Sequence, residues 1–289
     1  MKRLSAWILA LLMIFSTGAA LATEFKFTVR NGDRNEKKIC ITVDDCANIE
    51  MLQAIFDLSQ ELDVPMTFFT LGYVLKDEDR ELWRAIAESD CEIGNHTYWH
   101  ESMPQQTRLD MIKDLKDVQV RLDEVLGYHY PMQVMRPPYG NTRIGDESNI
   151  HVVRCSREAG YEHAILWDVS QTNPQKCLKA FKNGSILLFH TIPKDYNCLK
   201  EVLPEMKAQG YEFVTVSEMI GLDPVVISPL PEEEAPEGSE APETSAEEKN
   251  DAATEETTEE TSGEPAAESA DDASENASEE GEEETNADN

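Results

Sequence analysis

His96 and His100 stand four residues apart in the run Gly94-Asn95-His96-Thr97-Tyr98-Trp99-His100, behind an apolar, strand-like stretch that includes Cys91 and Ile93. Upstream, the adjacent acids Asp44 and Asp45 close another apolar stretch, Ile39 to Val43. Two imidazoles and one carboxylate can hold a divalent metal with positions left over for water and substrate. A second carboxylate beside them can take a proton from that water. The set points to a metal hydrolase. Taken singly the signals are weaker. An Asp-Asp pair is more often a solvated turn or a helix cap, and a lone histidine is more often structural. In a continuing strand, neighbouring side chains face opposite ways, so both acids serve one site only if the strand ends there.

Two further segments carry chemistry. Arg136-Pro137-Pro138-Tyr139-Gly140 follows a short apolar run. Its prolines and glycine fix the backbone tightly. Arg136 can orient a carboxylate by a two-pronged charge-assisted hydrogen bond, and backbone N–H groups in such a loop can stabilise an oxyanion. The plain alternative is a rigid turn with a surface arginine. Ser185 to His190 is a strand-like run that ends in a histidine. That histidine suits a general acid protonating a leaving group, or it is a strand-terminal histidine bonded to backbone.

The elements that must position these residues alternate regularly. Lys38 to Val43, Met66 to Leu71, Cys91 to Gly94, Met132 to Met135, Ala164 to Trp167, Ser185 to Phe189 and Phe213 to Val216 read as strands. Between them the 3.6-residue apolar pattern predicts helices over Asn48 to Leu62, Asp77 to Glu88, Thr107 to Leu126, Asn149 to Ala159, Pro174 to Phe181 and Leu199 to Gln209. Asn48 is placed to cap the first helix, and Gly127 to end the third. Repeated strand–helix units predict a parallel sheet. About seven such units in one domain suggest a closed or nearly closed α/β barrel rather than an open sheet. The chemistry-bearing residues all fall at or just after the C-terminal ends of strands, where barrels build their sites.

Together the four segments resemble the polysaccharide deacetylases, the NodB-like carbohydrate esterases of family 4. Thr42-Val43-Asp44-Asp45 is similar to the family's first motif, and His96-Thr97-Tyr98-Trp99-His100 to its His-(Ser/Thr)-x-x-His motif. Arg136 to Gly140 resembles its third motif, and Leu187-Leu188-Phe189-His190 its fifth. The resemblance runs from about Lys37 to Met219, with the motifs in family order. It implies a distorted (β/α) barrel that removes N- or O-acetyl groups from glycans with a divalent metal, commonly zinc or cobalt. It implies Asp45, His96 and His100 as metal ligands, Asp44 as general base and His190 as general acid. Arg136 would orient Asp44, Tyr139 would offer its N–H to the oxyanion, Leu188 would line the acetyl pocket, and Trp167 would stand at the substrate. Cys46 and Ala47 depart from the family's usual glycine and proline. A side chain at Cys46 would crowd the mouth of the site or supply a reactive thiol. In the fourth motif, Ser170 to Asn173 replace the usual acids, so the carboxylate that supports the general acid aligns with Asn173. An amide favours imidazolium less than a carboxylate does, which predicts a lowered pKa for His190.

Composition bounds the rest. Lys2 and Arg3, the apolar run Ala6 to Phe15 and the small-x-small Ala20-Leu21-Ala22 read as a secretory signal over residues 1–22. Residues 23–36 are a short lead-in, 37–222 the catalytic domain and 223–289 a Pro/Glu-rich tail. From Pro231 onward no Phe, Trp, Tyr, Leu, Ile, Val or Met occurs, and 24 acidic residues face one lysine. That segment holds −23 of the chain's net −32. It cannot bury enough apolar surface to offset its ordering entropy, so disorder is expected. No basic patch points to nucleic acid. The reading is a secreted or loosely surface-associated protein acting on an N-acetylated polysaccharide, with no stable membrane span once the signal is removed. An O-acetyl xylan-type esterase and a glycan-binding protein with weakened turnover are the alternatives. Six cysteines in an exported chain can form three disulfides. Cys177 and Cys198, which flank one predicted strand, are the best-placed pair, although connectivity is not readable from sequence.

Overall fold

The computed structural model describes residues 27–144 and 147–230. The expected signal segment and the acidic tail from 231 lie outside them. The central strand is β2 (Lys38–Asp45), preceded by β1 (Thr28–Val29). On one side of β2 lie β3 (Met66–Thr70) and then β4 (Glu92–Asn95), all parallel. After the short antiparallel ribbon of β5 (Arg143–Ile144) and β6 (Glu147–Ser148) comes β7 (Ala164–Ile165), which pairs with β1. The other side of β2 takes β8 (Ser185–His190), and β9 (Glu212–Phe213) pairs with Lys38 and Ile39 at its start. Single parallel bridges join Asn95 to Met135, Met135 to Ala164, and Val169 to Leu187. Following these pairs outward from β3 returns to β8, so the parallel strands close on themselves.

The closure is thinner than the sequence pattern predicts. Met132 to Met135 contributes one bridging residue rather than a strand, and Ala164 to Trp167 shortens to two residues. Prolines explain the first case: Pro131, Pro137 and Pro138 flank the segment, and none can donate to a ladder. The lead-in also does more than precede the domain, because β1 adds to β7.

Helices cover the outside: α1 (Ile49–Leu62), α2 (Arg80–Ala87), α3 (Arg108–Leu126), α4 (Ile150–Glu158), α5 (Pro174–Ala180), α6 (Pro193–Ala208) and α7 (Val216–Met219). Asn48 caps α1 by accepting from Met51 N–H at 3.1 Å. Gly127, at φ 77°, ends α3 in the left-handed turn that glycine enters without a Cβ clash. Two boundaries depart from expectation. The helix expected from Leu199 begins six residues earlier at Pro193, and the strand expected over Phe213 to Val216 stops so that Thr215 can cap α7. No helix among the described residues is long and apolar enough to cross a membrane.

Period-two alternation decides what each strand faces. Ile39, Ile41 and Val43 of β2, with Leu187 and Phe189 of β8, pack outward under the helices. Cys40, Phe69, Val134, Ile165 and Ile186 pack against one another inside the ring. The same parity aims Thr42, Asp44, Leu188 and His190 inward, above that plug. Gly94 is required here, since a Cβ would lie 2.7 Å from the Phe69 ring.

At the opposite end of the ring, Glu92 is buried and receives Thr67 Oγ1 at 2.8 Å, Ser217 N–H at 3.2 Å and the Ser217 hydroxyl. Burial raises its pKa above the ordinary 4.5, the hydrogen bonds only partly opposing it. A raised folded-state pKa means the folded form is favoured below the unfolded value and loses that advantage as pH rises through the folded one. Glu92→Gln is therefore expected to stabilise the protein relative to wild type increasingly as pH climbs from 4.5 to 8. Urea unfolding across that range checks it; a pH-independent difference would contradict it.

All six cysteines are buried free thiols. Cys177 on α5 and Cys198 on α6 are neighbours that share a thiol hydrogen bond.

Candidate active site

Asp44, Asp45, His96, His100, Arg136, Tyr139 and His190 lie at or just after the C-terminal ends of the parallel strands and bridging segment, on one rim of the ring. Asp45 stands where β2 turns away: Asp45 and Cys46 take φ 67° and 57°, and Cys46 N–H closes back onto Asp44 carbonyl at 2.8 Å. That sharp turn lets two adjacent acids address one site. The other rim loops are bent in the same way, at Thr97 (φ 68°), His100 (φ 60°) and Tyr139 (φ 60°). Left-handed backbone at non-glycine residues costs about 1–3 kcal/mol each and gathers where function holds it in place. The glycine usual at position 46 is thus explained by conformation. Cys46 meets the same demand but points inward: it is 2 % exposed, and burial pushes its thiol well above the ordinary value. It neither crowds the mouth nor offers a reactive thiolate.

Asp45, His96 and His100 converge. One donor atom from each lies within 4.8 Å of the others. Asp45 Oδ1 is 3.5 Å from Nε2 of both histidines. His96 Nδ1–H donates to the Arg136 carbonyl at 2.8 Å, which leaves the Nε2 lone pair facing Asp45. Burial and the neighbouring His96 hold His100 below its ordinary pKa, so its lone pair is also free at neutral pH. Burial opposes the charge on Asp45, but His96, His100 and His190 outweigh it and lower its pKa. Two imidazoles and one carboxylate at these separations fit a divalent ion of the zinc type.

Asp44 is held apart from that trio. Its Oδ1 receives Arg136 Nη1 at 2.5 Å, while Oδ2 lies 3.7 Å from His96 Nε2. Arg136 is fully buried and spends its other donors on Thr42 Oγ1 at 2.7 Å and the carbonyls of Ile165 and Leu166 at 3.1 and 3.3 Å. Its guanidinium lies 4.2 Å above the Phe69 ring. This is no surface arginine. Tyr139 is exposed and sets its ring 4.6 Å from that of His100, and its own N–H has no partner among the described residues. Trp167 packs against Gly140, where a Cβ would meet its ring at 2.9 Å, and lies 5.6 Å from the Arg136 guanidinium. It braces the loop. Leu188 is buried beside Thr42, its register partner.

The described residues change the account of the fourth motif. Asn173 caps α5, its Oδ1 accepting Lys176 N–H at 3.0 Å, and it does not bond to His190. The partner of His190 is Asp195, in the first turn of α6. Asp195 Oδ2 accepts His190 backbone N–H at 2.7 Å and lies 3.4 Å from Nδ1 of the ring. This contact, helped by Asp44 and Asp45, overcomes burial and raises the His190 pKa above 6.5, opposite to the lowering expected from Asn173. Asp168 is engaged elsewhere, in an ion pair with Arg34 at 2.6 Å.

Sequence reasoning also passed over Asp114 on α3. Its carboxylate accepts the N–H groups of Tyr98 and Trp99 at 3.0 and 3.1 Å and Gln106 Nε2 at 2.9 Å. It pins the loop between the two histidines. Asp114→Ala is expected to weaken zinc binding about 10–100-fold, as loss of outer-shell support does. Competition with a chromophoric chelator measures this; unchanged affinity would contradict it.

A polysaccharide deacetylase family model matches residues 31–164. A peptidoglycan-N-acetylglucosamine deacetylase of Bacillus cereus is 31 % identical over 205 residues, covering 64 % of this chain and 89 % of that protein. The chain belongs to the polysaccharide deacetylase family. The deacetylase fold is shared with a carbohydrate esterase family 4 pseudoenzyme of Bacillus anthracis, at TM-score 0.59 and 21 % identity over 67 % of this chain and 68 % of the other. A peptidoglycan-N-acetylglucosamine deacetylase of Listeria monocytogenes is 27 % identical over 194 residues, which is 65 % of this chain but only 40 % of that longer protein.

Proposed function

We propose that this chain is an exported, metal-dependent hydrolase that removes N-acetyl groups from an N-acetylated glycan, with peptidoglycan as the leading substrate. The observation that carries this reading is the separation of duties at the rim: Asp45, His96 and His100 form one cluster, while the buried Arg136 keeps Asp44 beside it and free of it. Asp45, His96 and His100 would hold a divalent ion. Such an ion, zinc or cobalt, supplies Lewis acidity that makes water nucleophilic at neutral pH. Asp44, fixed through Oδ1, offers Oδ2 to take the proton of that water. The Tyr139 N–H stands ready for the oxyanion. Leu188 supplies apolar wall for the acetyl methyl. His190 gives its proton to the departing nitrogen.

The match of residues 31–164 to the family model and the likeness to peptidoglycan deacetylases support the substrate class. The altered fourth motif favours a merely glycan-binding protein, whereas the Asp195 carboxylate 3.4 Å from His190 supports the catalytic reading. Acetate release from peptidoglycan fragments and N-acetylglucosamine oligomers, set against acetylated xylan, tests the proposal. Faster turnover of the N-acetyl substrates is expected. Turnover of the O-acetyl substrate alone would overturn it in favour of an esterase.

A further inference from the structure

We propose that Asp195 is the positioning residue for His190, taking over from α6 the duty that the fourth motif no longer performs. The inference rests on the functional reading above in one respect, the assignment of His190 as proton donor.

Five observations carry it. Asp195 is 1 % exposed, yet its Oδ1 has no hydrogen-bond partner among the described residues. A buried carboxylate so poorly satisfied calls for a counter-charge. Among the described residues, the side chain that forms an ion pair with it is His190, 3.4 Å away through Nδ1. The intervening chain is stiff: Ile192 N–H bonds the His190 carbonyl at 2.8 Å, and Pro193 opens the helix. Thr191 is anchored separately, its Oγ1 accepting Asn48 N–H at 3.3 Å. His190 N–H then bonds Asp195 Oδ2 at 2.7 Å, so main chain and ring answer to the same carboxylate. The other titratable groups that interact with His190 are Asp44, Asp45 and His100. Finally, Asn173, where the motif would place an acid, is committed to its own helix.

The consequence is a fixed tautomer. Nδ1 is the ring nitrogen 3.4 Å from Asp195, so a proton held there faces the carboxylate and Nε2 is the edge left for the site. When the C–N bond breaks, its electron pair stays on nitrogen and the Nε2 proton is delivered there. The imidazolium form of His190 thereby becomes neutral, keeping its remaining proton on Nδ1, and recovers the other from solvent.

The test uses the zinc-loaded protein and two readouts. In the first, kcat on an N-acetyl glycan is compared with kcat on 4-nitrophenyl acetate, whose phenolate leaves without help. Asp195→Asn keeps an acceptor for the main chain but lacks the charge, and the amide-to-ester kcat ratio is expected to fall at least tenfold. A loss that is only structural would lower both rates together and leave the ratio alone. Asn173→Asp is expected to leave the ratio at the wild-type value. The second readout needs no turnover: ¹⁵N shifts of the neutral His190 ring at alkaline pH should show the proton on Nδ1 in wild type and its loss from Nδ1 in Asp195→Asn. A wild-type proton on Nε2, an unchanged ratio in Asp195→Asn, or a ratio raised by Asn173→Asp would overturn the proposal. A wild type inert on amides but correctly tautomeric would count against the N-deacetylase reading and not against Asp195.

Discussion

Asp44→Asn is expected to lower kcat for deacetylation by about 10²–10⁴, the range over which a positioned base accelerates proton transfer, while zinc affinity stays within about threefold of wild type. The two halves belong together. Asp44 Oδ1 faces the guanidinium of Arg136 at 2.5 Å, and only Oδ2 looks toward His96, at 3.7 Å. The amide still accepts from Arg136, so the geometry of the rim is preserved and only the basicity is removed. Metal titration and kcat on the same preparation read out both. A large fall in zinc affinity would make Asp44 a ligand rather than a base, and retention of kcat would remove it from the chemistry.

Arg136→Met is expected to destabilise the protein by about 3–5 kcal/mol, because it leaves Asp44 as a buried charge without its partner. No other substitution at the rim should cost as much. Arg136 is fully buried, donates to Thr42, Asp44, Ile165 and Leu166, and lies over Phe69. It therefore joins β2, β7 and the bridging segment at Met135 across the inside of the ring. Urea unfolding of the metal-free protein measures the loss. The double variant Asp44→Asn/Arg136→Met should recover part of it, since removing both charges leaves no unpaired ion, and the cycle gives the coupling directly. A loss under about 1 kcal/mol would mean that water reaches Asp44 and that the pair is not buried in the energetic sense.

Much of this was legible in the chain. The alternation of β2 and β8 announced itself because both are apolar on two faces, as strands covered on both sides must be. The helix cap at Asn48 followed from residue type, and α3 ended at Gly127. The convergence of Asp45, His96 and His100 was foreshadowed by two histidines four residues apart and an acid at a strand end. What escaped were contacts made across the fold. Asp114 sits on α3 among Met111, Leu115 and Val118, and nothing in that stripe says that its carboxylate reaches the loop of another unit. Asp195 was missed for a more correctable reason. The apolar pattern of α6 becomes regular only near Leu199, so the helix was begun too late. Pro193 followed by Asp195 is a helix-start signal, proline at the first position and an acid in the first turn, and it would have put Asp195 within reach of His190. The fourth motif misled because Asn173 fits its alignment while the local chemistry of Asn-Pro makes it a helix cap.

The proposed catalysis depends on Asp45, His96 and His100 forming a metal centre. The most direct measurement is acetate release from N-acetylglucosamine oligomers by the purified protein, stripped with chelator and then titrated with zinc. The account predicts no release from the stripped protein and full recovery at one equivalent of metal, with His96→Ala silent at every concentration. Release that survives stripping, or that His96→Ala retains, would contradict it.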